Sequence, residues 1–219
     1  MVKNNSNLCT FDPDAPCSTC KNKGMLFCKP DENKVIVSHL IEGSFIIMAL
    51  LGIGLTSVIL NSYWPFVVFS IFSVLFFLLI QPRITCSHCP YYAEDRFLLQ
   101  CTQNHISPKI WRYRPERIVL WEKIITVVGY IFLGVYPLLV ELYGINVFLN
   151  NNPDIVSLIS LIGVFIGTLL TLALFYVVFF FFYCPYCINF SCVFNKVPDE
   201  YVKCYLERNP IMKNAWYKH

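Results

Sequence analysis

The chain has 219 residues, of which 56% are hydrophobic and 14% are charged, and its formal net charge at pH 7 is +3. This composition excludes an intrinsically disordered chain and is unusual for a soluble domain. The 17 lysines and arginines lie beside strongly apolar runs, in the stretches 3–34, 83–123 and 196–218. Basic residues spread in this way argue against a nucleic-acid-binding surface, so no nucleic-acid partner is expected.

Four apolar runs follow one another along the chain, at 35–60, 63–80, 124–140 and 155–183. A bilayer core about 30 Å thick is crossed by roughly 20 helical residues, so each run is predicted to be a transmembrane helix. A tight turn at Asn61 and Ser62 joins the first two runs. The other two are joined by the stretch 141–154.

Neither of these connections contains Lys or Arg. Because positively charged loops stay in the cytoplasm, both connections are expected outside and both chain ends inside. The predicted location is the plasma membrane, the inner membrane or an equivalent membrane. All 11 cysteines lie in or next to the basic stretches, so they are expected to share the cytoplasmic face.

The predicted fold class is an all-α integral membrane protein with four transmembrane helices in two hairpins and small, Cys-rich, metal-stabilised cytoplasmic segments. In chain order, the domains are a Cys-rich cytoplasmic amino-terminal segment (1–34), a transmembrane hairpin (35–80), a cytoplasmic Cys/His loop (81–123), transmembrane helices 3 and 4 (124–183) and a Cys-rich cytoplasmic tail (184–219). Within the loop, the stretch 108–123 mixes basic and aromatic residues, which is typical of the lipid-headgroup zone.

The apolar runs also suggest partners besides the lipid bilayer. Gly163 and Gly167 have the spacing of small residues that lets helices approach closely, so self-association or contact with other membrane-complex subunits is expected there. No acidic residue is predicted near the middle of a membrane span. Glu42 and Glu122 are expected near the inner boundary of the membrane and Glu141 near the outer one. Ion and proton pathways usually need charged groups deep in the spans, so this placement disfavours a transporter or pump.

The cysteines form three groups, each with one C-x2-C pair. The groups are Cys9, Cys17, Cys20 and Cys28; Cys86, Cys89 and Cys101 with His105; and Cys184, Cys187, Cys192 and Cys204. Two thiolates separated by two residues can hold one ion from a tight turn, with the other ligands coming from elsewhere. All twelve side chains are therefore candidate metal ligands.

Disulfides are one alternative, but they should not persist on a reducing cytoplasmic face, and an odd number of cysteines leaves one over. Inert buried thiols are a second alternative to metal binding.

Zinc is the favoured metal because it takes tetrahedral sets of four thiolates, or of three thiolates and an imidazole. An iron–sulfur cluster is the alternative cofactor, since it is also held by thiolates. The soluble segments are each too short to bury much apolar surface, so metals are expected to staple them.

Residues 184–187, with the sequence CPYC, resemble the redox tetrapeptide of glutaredoxins, although the resemblance covers these four residues alone. It implies dithiol exchange, but the surrounding βαβ pattern is missing. Three functions remain open at this point. The favoured one is a structural or adaptor subunit of a membrane complex with cytoplasmic zinc sites. The others are a membrane electron-transfer subunit with iron–sulfur clusters and a membrane thiol oxidoreductase that uses this pair. The sequence assigns no catalytic residue.

Overall fold

A computed structural model describes residues 8–12, 14–105, 107–151 and 154–217. The described residues are helical apart from turns, loops and one isolated antiparallel bridge between Leu98 and Pro108. The α-helices are α1 (Glu32–Ile59), α2 (Trp64–Leu75), α3 (Gln81–Ile84), α4 (Leu120–Asn150), α5 (Ile155–Val178), α6 (Asp199–Glu207) and α7 (Pro210–Tyr217). Two π-helical segments, Phe76–Ile80 and Phe179–Tyr183, follow α2 and α5 directly.

In the described part of the chain, four helical stretches are long and apolar enough to cross a membrane. The predicted number of such helices is thus confirmed. They are Glu32–Ile59, Trp64–His88, Leu120–Asn150 and Ile155–Tyr186. Helix α1 starts after Asp31, whose carboxylate accepts the backbone N–H of Asn33 at 3.1 Å, and it ends where Asn61 adopts a left-handed conformation with φ of 49°. Asn tolerates this conformation, which closes the predicted turn between α1 and α2.

The end of the third long apolar helix differs from the prediction. Helix α4 continues to Asn150, so 141–150 is helical and the connection to α5 is much shorter than 141–154. Glu141 therefore lies inside α4, and its predicted place in a boundary loop is wrong. In the added turns Glu141 and Gly144 are buried, and at Gly144 the helix lies against Thr56 of α1, so this stretch packs as a helix and not as a loop.

The chain divides into two compact units. The first, here called the four-helix unit, consists of 39–76 and 127–178. Within it, α1 and α4 approach closely at two glycines, because a Cβ atom added at Gly52 would overlap the Glu141 side chain and one at Gly144 would overlap Thr56. Tyr136 fixes α4 to the start of α2 by donating its hydroxyl hydrogen to the Pro65 carbonyl oxygen at 3.1 Å.

The second, here called the cysteine-rich unit, comprises the described residues of 1–38, 77–126 and 179–219. It contains all 11 cysteines of the sequence and 15 of its 17 lysines and arginines; the other two, Lys3 and Lys218, lie outside the described residues. Its three segments share one hydrophobic core. The buried core residues are Leu26, Cys86, Cys89, Tyr91, Tyr92, Leu99, Ile188, Val197, Tyr205, Leu206, Met212 and Trp216. Segments that are too short to bury a core alone thus build one together.

Hydrogen bonds between distant parts of the sequence hold these segments in place. The buried Asn209 side chain accepts the backbone N–H of Cys9 at 2.8 Å and donates to the Tyr205 carbonyl oxygen at 2.7 Å. The Tyr91 hydroxyl donates to the carbonyl oxygen of Phe27 at 2.7 Å. The amino-terminal segment is therefore fixed to both the central loop and the tail.

Candidate functional site

All three C-x2-C pairs adopt the same local conformation. Short 3-10 helices cover Cys17–Thr19, Cys86–His88 and Cys184–Tyr186, and the second cysteine follows each of them with extended backbone angles. These angles are φ −74° and ψ 129° at Cys20, φ −81° and ψ 139° at Cys89, and φ −75° and ψ 129° at Cys187. Residues three apart in a 3-10 helix carry their side chains on the same side. Each pair is therefore shaped to present two thiols to one ligand.

The four amino-terminal cysteines form one group. The pKa of the Cys28 thiol is raised to about 12, mainly by burial and also by negative charge at Cys9, Cys20 and Cys17. Burial is also the main reason why the pKa of Cys9 is raised; a hydrogen bond from Asn209 opposes it, and the charges of Cys20 and Cys17 add to it. Thiolates influence each other in this way only at short range. The group predicted from spacing is thus brought together by the fold.

The middle and carboxy-terminal cysteines pool into a second group, which the sequence did not predict. Burial raises the pKa of the Cys89 thiol well above its ordinary value, and the charges of Cys187, Cys101 and Cys86 raise it further. The pKa of Cys187 is likewise raised by burial and then by the charges of neighbouring thiols. The six members are Cys86, Cys89, Cys101, Cys184, Cys187 and Cys192.

Backbone N–H groups point at several sulfurs of this second group. The N–H of Tyr91 lowers the pKa of Cys89, and that of Asn189 lowers the pKa of Cys187, both against the larger effect of burial. The backbone N–H of Asn104 donates to the Cys101 sulfur at 3.2 Å. Such hydrogen bonds favour the thiolate, which is the form that binds metals.

Cys204 and His105 do not take part in the interactions that define the two groups; Cys204 lies on α6 and His105 in the loop after Cys101. Ten of the twelve candidate ligands are thus gathered into the two groups. Across residues 8–12, 14–105, 107–151 and 154–217, no three His, Cys, Asp or Glu side chains are positioned to hold a metal ion.

A buried charged network that was not predicted lies beside Cys86 and Cys89. The side chains of His88 and Glu122 are both 0% exposed, with the His88 Nε2 and Glu122 Oε2 atoms 3.2 Å apart but not aligned for a hydrogen bond. Arg114 donates from Nη1 to Glu122 Oε1 at 2.6 Å and from Nε to Glu116 Oε1 at 2.9 Å. The His88 Nδ1 atom lies 2.7 Å from the Glu116 carbonyl oxygen.

This network changes the interpretation of the basic and aromatic stretch at 108–123. Arg114 lies inside the cysteine-rich unit, and the Lys109 side chain, which is 6% exposed, donates to the Glu94 carbonyl oxygen at 2.8 Å. Arg117 stacks on the ring of Trp216, 4.5 Å from its centroid. These three cations therefore hold the unit together.

No protein-family model, no curated protein and no solved structure matches this chain. Its function is therefore inferred from the chemistry of the two cysteine groups and of the helices that carry them.

Proposed function

We propose that the protein is a multi-pass membrane protein whose cysteine-rich unit binds metal ions, with zinc favoured, and which acts as a structural or adaptor subunit of a membrane complex. In this proposal, the membrane is a plasma membrane, an inner membrane or an equivalent one. Both chain ends and the cysteine-rich unit lie on its cytoplasmic side.

Membrane insertion is supported by the division of charge between the two units. The sequence of the four-helix unit, 39–76 and 127–178, contains no Lys or Arg, whereas the described part of the cysteine-rich unit contains 15. Large apolar side chains on the long helices are exposed, including Ile47 at 59%, Val58 at 65% and Leu170 at 63%. A bilayer would cover them, and the positive charge of the other unit favours the cytoplasmic side.

The shared turn of the three C-x2-C pairs is the observation that carries the metal proposal. A turn that presents two thiols on one side supplies half of a tetrahedral thiolate site. The amino-terminal group provides four cysteines for one metal site. The second group provides six cysteines for any further metal site. Metal ions would close these groups and join segments that lie up to about a hundred residues apart in the sequence.

Elemental analysis of protein purified in detergent without chelators tests this proposal. We expect about two zinc ions per chain, because the first group holds one full set of four thiolates and the six cysteines of the second group hold one more. Cys20→Ser should remove about one ion by opening the amino-terminal group, and Cys89→Ser should lower the content of the second group. Cys204→Ser is the matched control and should leave the zinc content unchanged. Wild-type protein that holds no transition metal, in a reduced preparation, contradicts the proposal.

An iron–sulfur protein is the second candidate, because thiolates also hold iron–sulfur clusters. The six cysteines of the second group are enough for one cluster, since most clusters take four thiolates. An electron-transfer subunit purified without oxygen should be brown, whereas a zinc protein should be colourless. Visible absorption together with the iron content therefore separates the two.

Thiol oxidoreduction through the CPYC pair has less support. A reactive thiol needs a lowered pKa, commonly at the start of a helix. Here the pair follows the π-helical segment after α5, no α-helix starts at it, and burial raises the pKa of Cys187.

Partner contacts through the small residues of α5 also remain a proposal. Gly167 already accommodates the Met48 side chain of α1, whereas a Cβ atom at Gly163 would meet no described atom within 4 Å. A second copy or another subunit would therefore approach at Gly163.

A further inference from the structure

The four-helix unit buries one carboxyl group far from either end of its helices. Glu141 lies nine residues before the end of α4, which corresponds to roughly 13 Å of helix, and the residue is 3% exposed. Its Oε1 atom is 3.0 Å from the Thr168 hydroxyl of α5. On the other side, Gly52 of α1 makes room for the carboxyl group, because any Cβ atom there would overlap it.

Nothing in the same unit offers a positive charge to this carboxyl group. The sequence of the unit, 39–76 and 127–178, contains no Lys or Arg. On α1, the titratable residues His39 and Glu42 are ten or more residues from Gly52, about 15 Å or more along the axis. Asp154 precedes α5 and is 14 residues, about 20 Å, from Thr168. No other acidic or basic residue of α1, α2 or α5 in this unit faces Glu141.

The hydrogen bonds around Thr168 favour a neutral acid. The Thr168 Oγ1 atom is 3.0 Å from Glu141 Oε1 and 3.1 Å from the Val164 carbonyl oxygen. A hydroxyl group has one hydrogen and can donate to only one of these oxygens. If Glu141 carries a proton, it donates to Thr168, Thr168 donates to Val164, and both contacts become hydrogen bonds.

A charged Glu141 would be poorly compensated. It would receive a single hydrogen bond, and its Oε2 atom is buried with no partner among the described residues. Burying an ion without a counter-ion is far more costly than burying a neutral hydrogen-bonded group. Ionisable groups placed among apolar membrane helices are commonly kept for binding or relaying protons.

We propose that Glu141 is a proton-binding site within the four-helix unit. Its ligand is a proton taken from water. In the bound state, at neutral pH, the carboxylic acid donates a hydrogen bond to Thr168. Release returns the proton to water and leaves a carboxylate. This site is independent of the cysteine groups and of any metal that they bind.

Infrared difference spectroscopy of the whole protein in lipid vesicles tests the protonation state directly. At neutral pH, wild type minus Glu141→Gln should show a carboxylic-acid carbonyl band that shifts when water is exchanged for D2O. Asp154→Asn is the control: the exposed Asp154 caps α5 as a carboxylate, with Oδ2 2.8 Å from the Ser157 N–H, so its removal should leave that band unchanged. A wild-type spectrum without an acid band that depends on Glu141 overturns the proposal.

Dicyclohexylcarbodiimide provides a second test that uses only the wild-type protein, in case Glu141→Gln does not fold. The reagent attacks protonated carboxyl groups in apolar surroundings and leaves a stable adduct on the side chain. Peptide mass spectrometry should find the adduct on Glu141 at neutral pH, with less of it as the pH is raised. An adduct yield that does not fall with pH argues against a reversible site, and no adduct on Glu141 at any pH refutes the protonated state.

Discussion

Removal of the Glu122 carboxylate should strongly destabilise the cysteine-rich unit. This side chain is 0% exposed and receives hydrogen bonds from Arg114 at 2.6 Å and from the Val119 backbone N–H at 3.2 Å. In Glu122→Gln, the neutral amide can no longer compensate the charge of Arg114. The guanidinium would keep only Glu116, whose side chain is 39% exposed.

The expected loss of unfolding free energy follows from how deeply Glu122 and Arg114 are buried. Breaking a buried ion pair by removing one member costs about 3–5 kcal/mol. The Arg114 side chain is 23% exposed, so water can recover part of this loss. We therefore expect a cost near the lower limit, about 3 kcal/mol. For a unit of this size, such a loss lowers the Tm by roughly 10 °C.

Thermal unfolding in detergent, followed by tryptophan fluorescence, measures this loss. Trp216 reports on the unit because its indole N–H donates to the Pro115 carbonyl oxygen at 3.0 Å. Glu116→Gln is the matched control, and the loss of its partly exposed ion pair should cost about 1 kcal/mol. Adding Arg114→Met to Glu122→Gln should restore part of the stability, because it removes the stranded charge. A Tm for Glu122→Gln within experimental error of that for Glu116→Gln would refute the reasoning.

Three further outcomes are expected. Asn209→Ala should destabilise the cysteine-rich unit by about 2 kcal/mol, because the Cys9 N–H loses its acceptor, and faster proteolysis of the amino-terminal segment should report it. Gly144→Ala should lower the Tm in detergent because the new methyl group overlaps Thr56, whereas Gly163→Ala meets open space and should not lower it. If metals are bound, lowering the pH should release them as the thiolates take up protons, and a metal-sensitive dye should follow the release; retention of metal in acid would contradict thiolate ligation.

The helical framework was largely predictable because its signals are local. Apolar runs of sufficient length predicted four spanning helices, and Asn61 with Ser62 predicted the turn between the first two. The end of α4 was missed because Glu141 was treated as a boundary residue. Its burial depends on Gly52 and Thr168, which come from other helices and cannot be identified as its neighbours from the sequence.

The candidate site was only half predictable for the same reason. Each C-x2-C pair is a local pattern, and the fold gives all three pairs the same turn. The pooling of Cys89 with Cys187 joins residues about a hundred positions apart, and it depends on how the segments share a core. Arg114 was attributed to a headgroup zone because a loop next to a span suggests one, but its partner Glu122 was not recognised.

The placement of the second cysteine group suggests why the three segments fold as one unit. Each helical hairpin ends in a π-helical segment, Phe76–Ile80 after α2 and Phe179–Tyr183 after α5. A C-x2-C turn follows the second segment directly and the first one after the short helix α3. A π-helical turn holds more residues than an α-helical one, so it rotates the chain that follows and changes the direction of the turn. Because Cys89 and Cys187 are neighbours, one ion bound to both pairs would join the two hairpin ends. If such an ion is bound, its removal should loosen the core between the central loop and the tail more than it loosens the amino-terminal segment, which Asn209 holds separately.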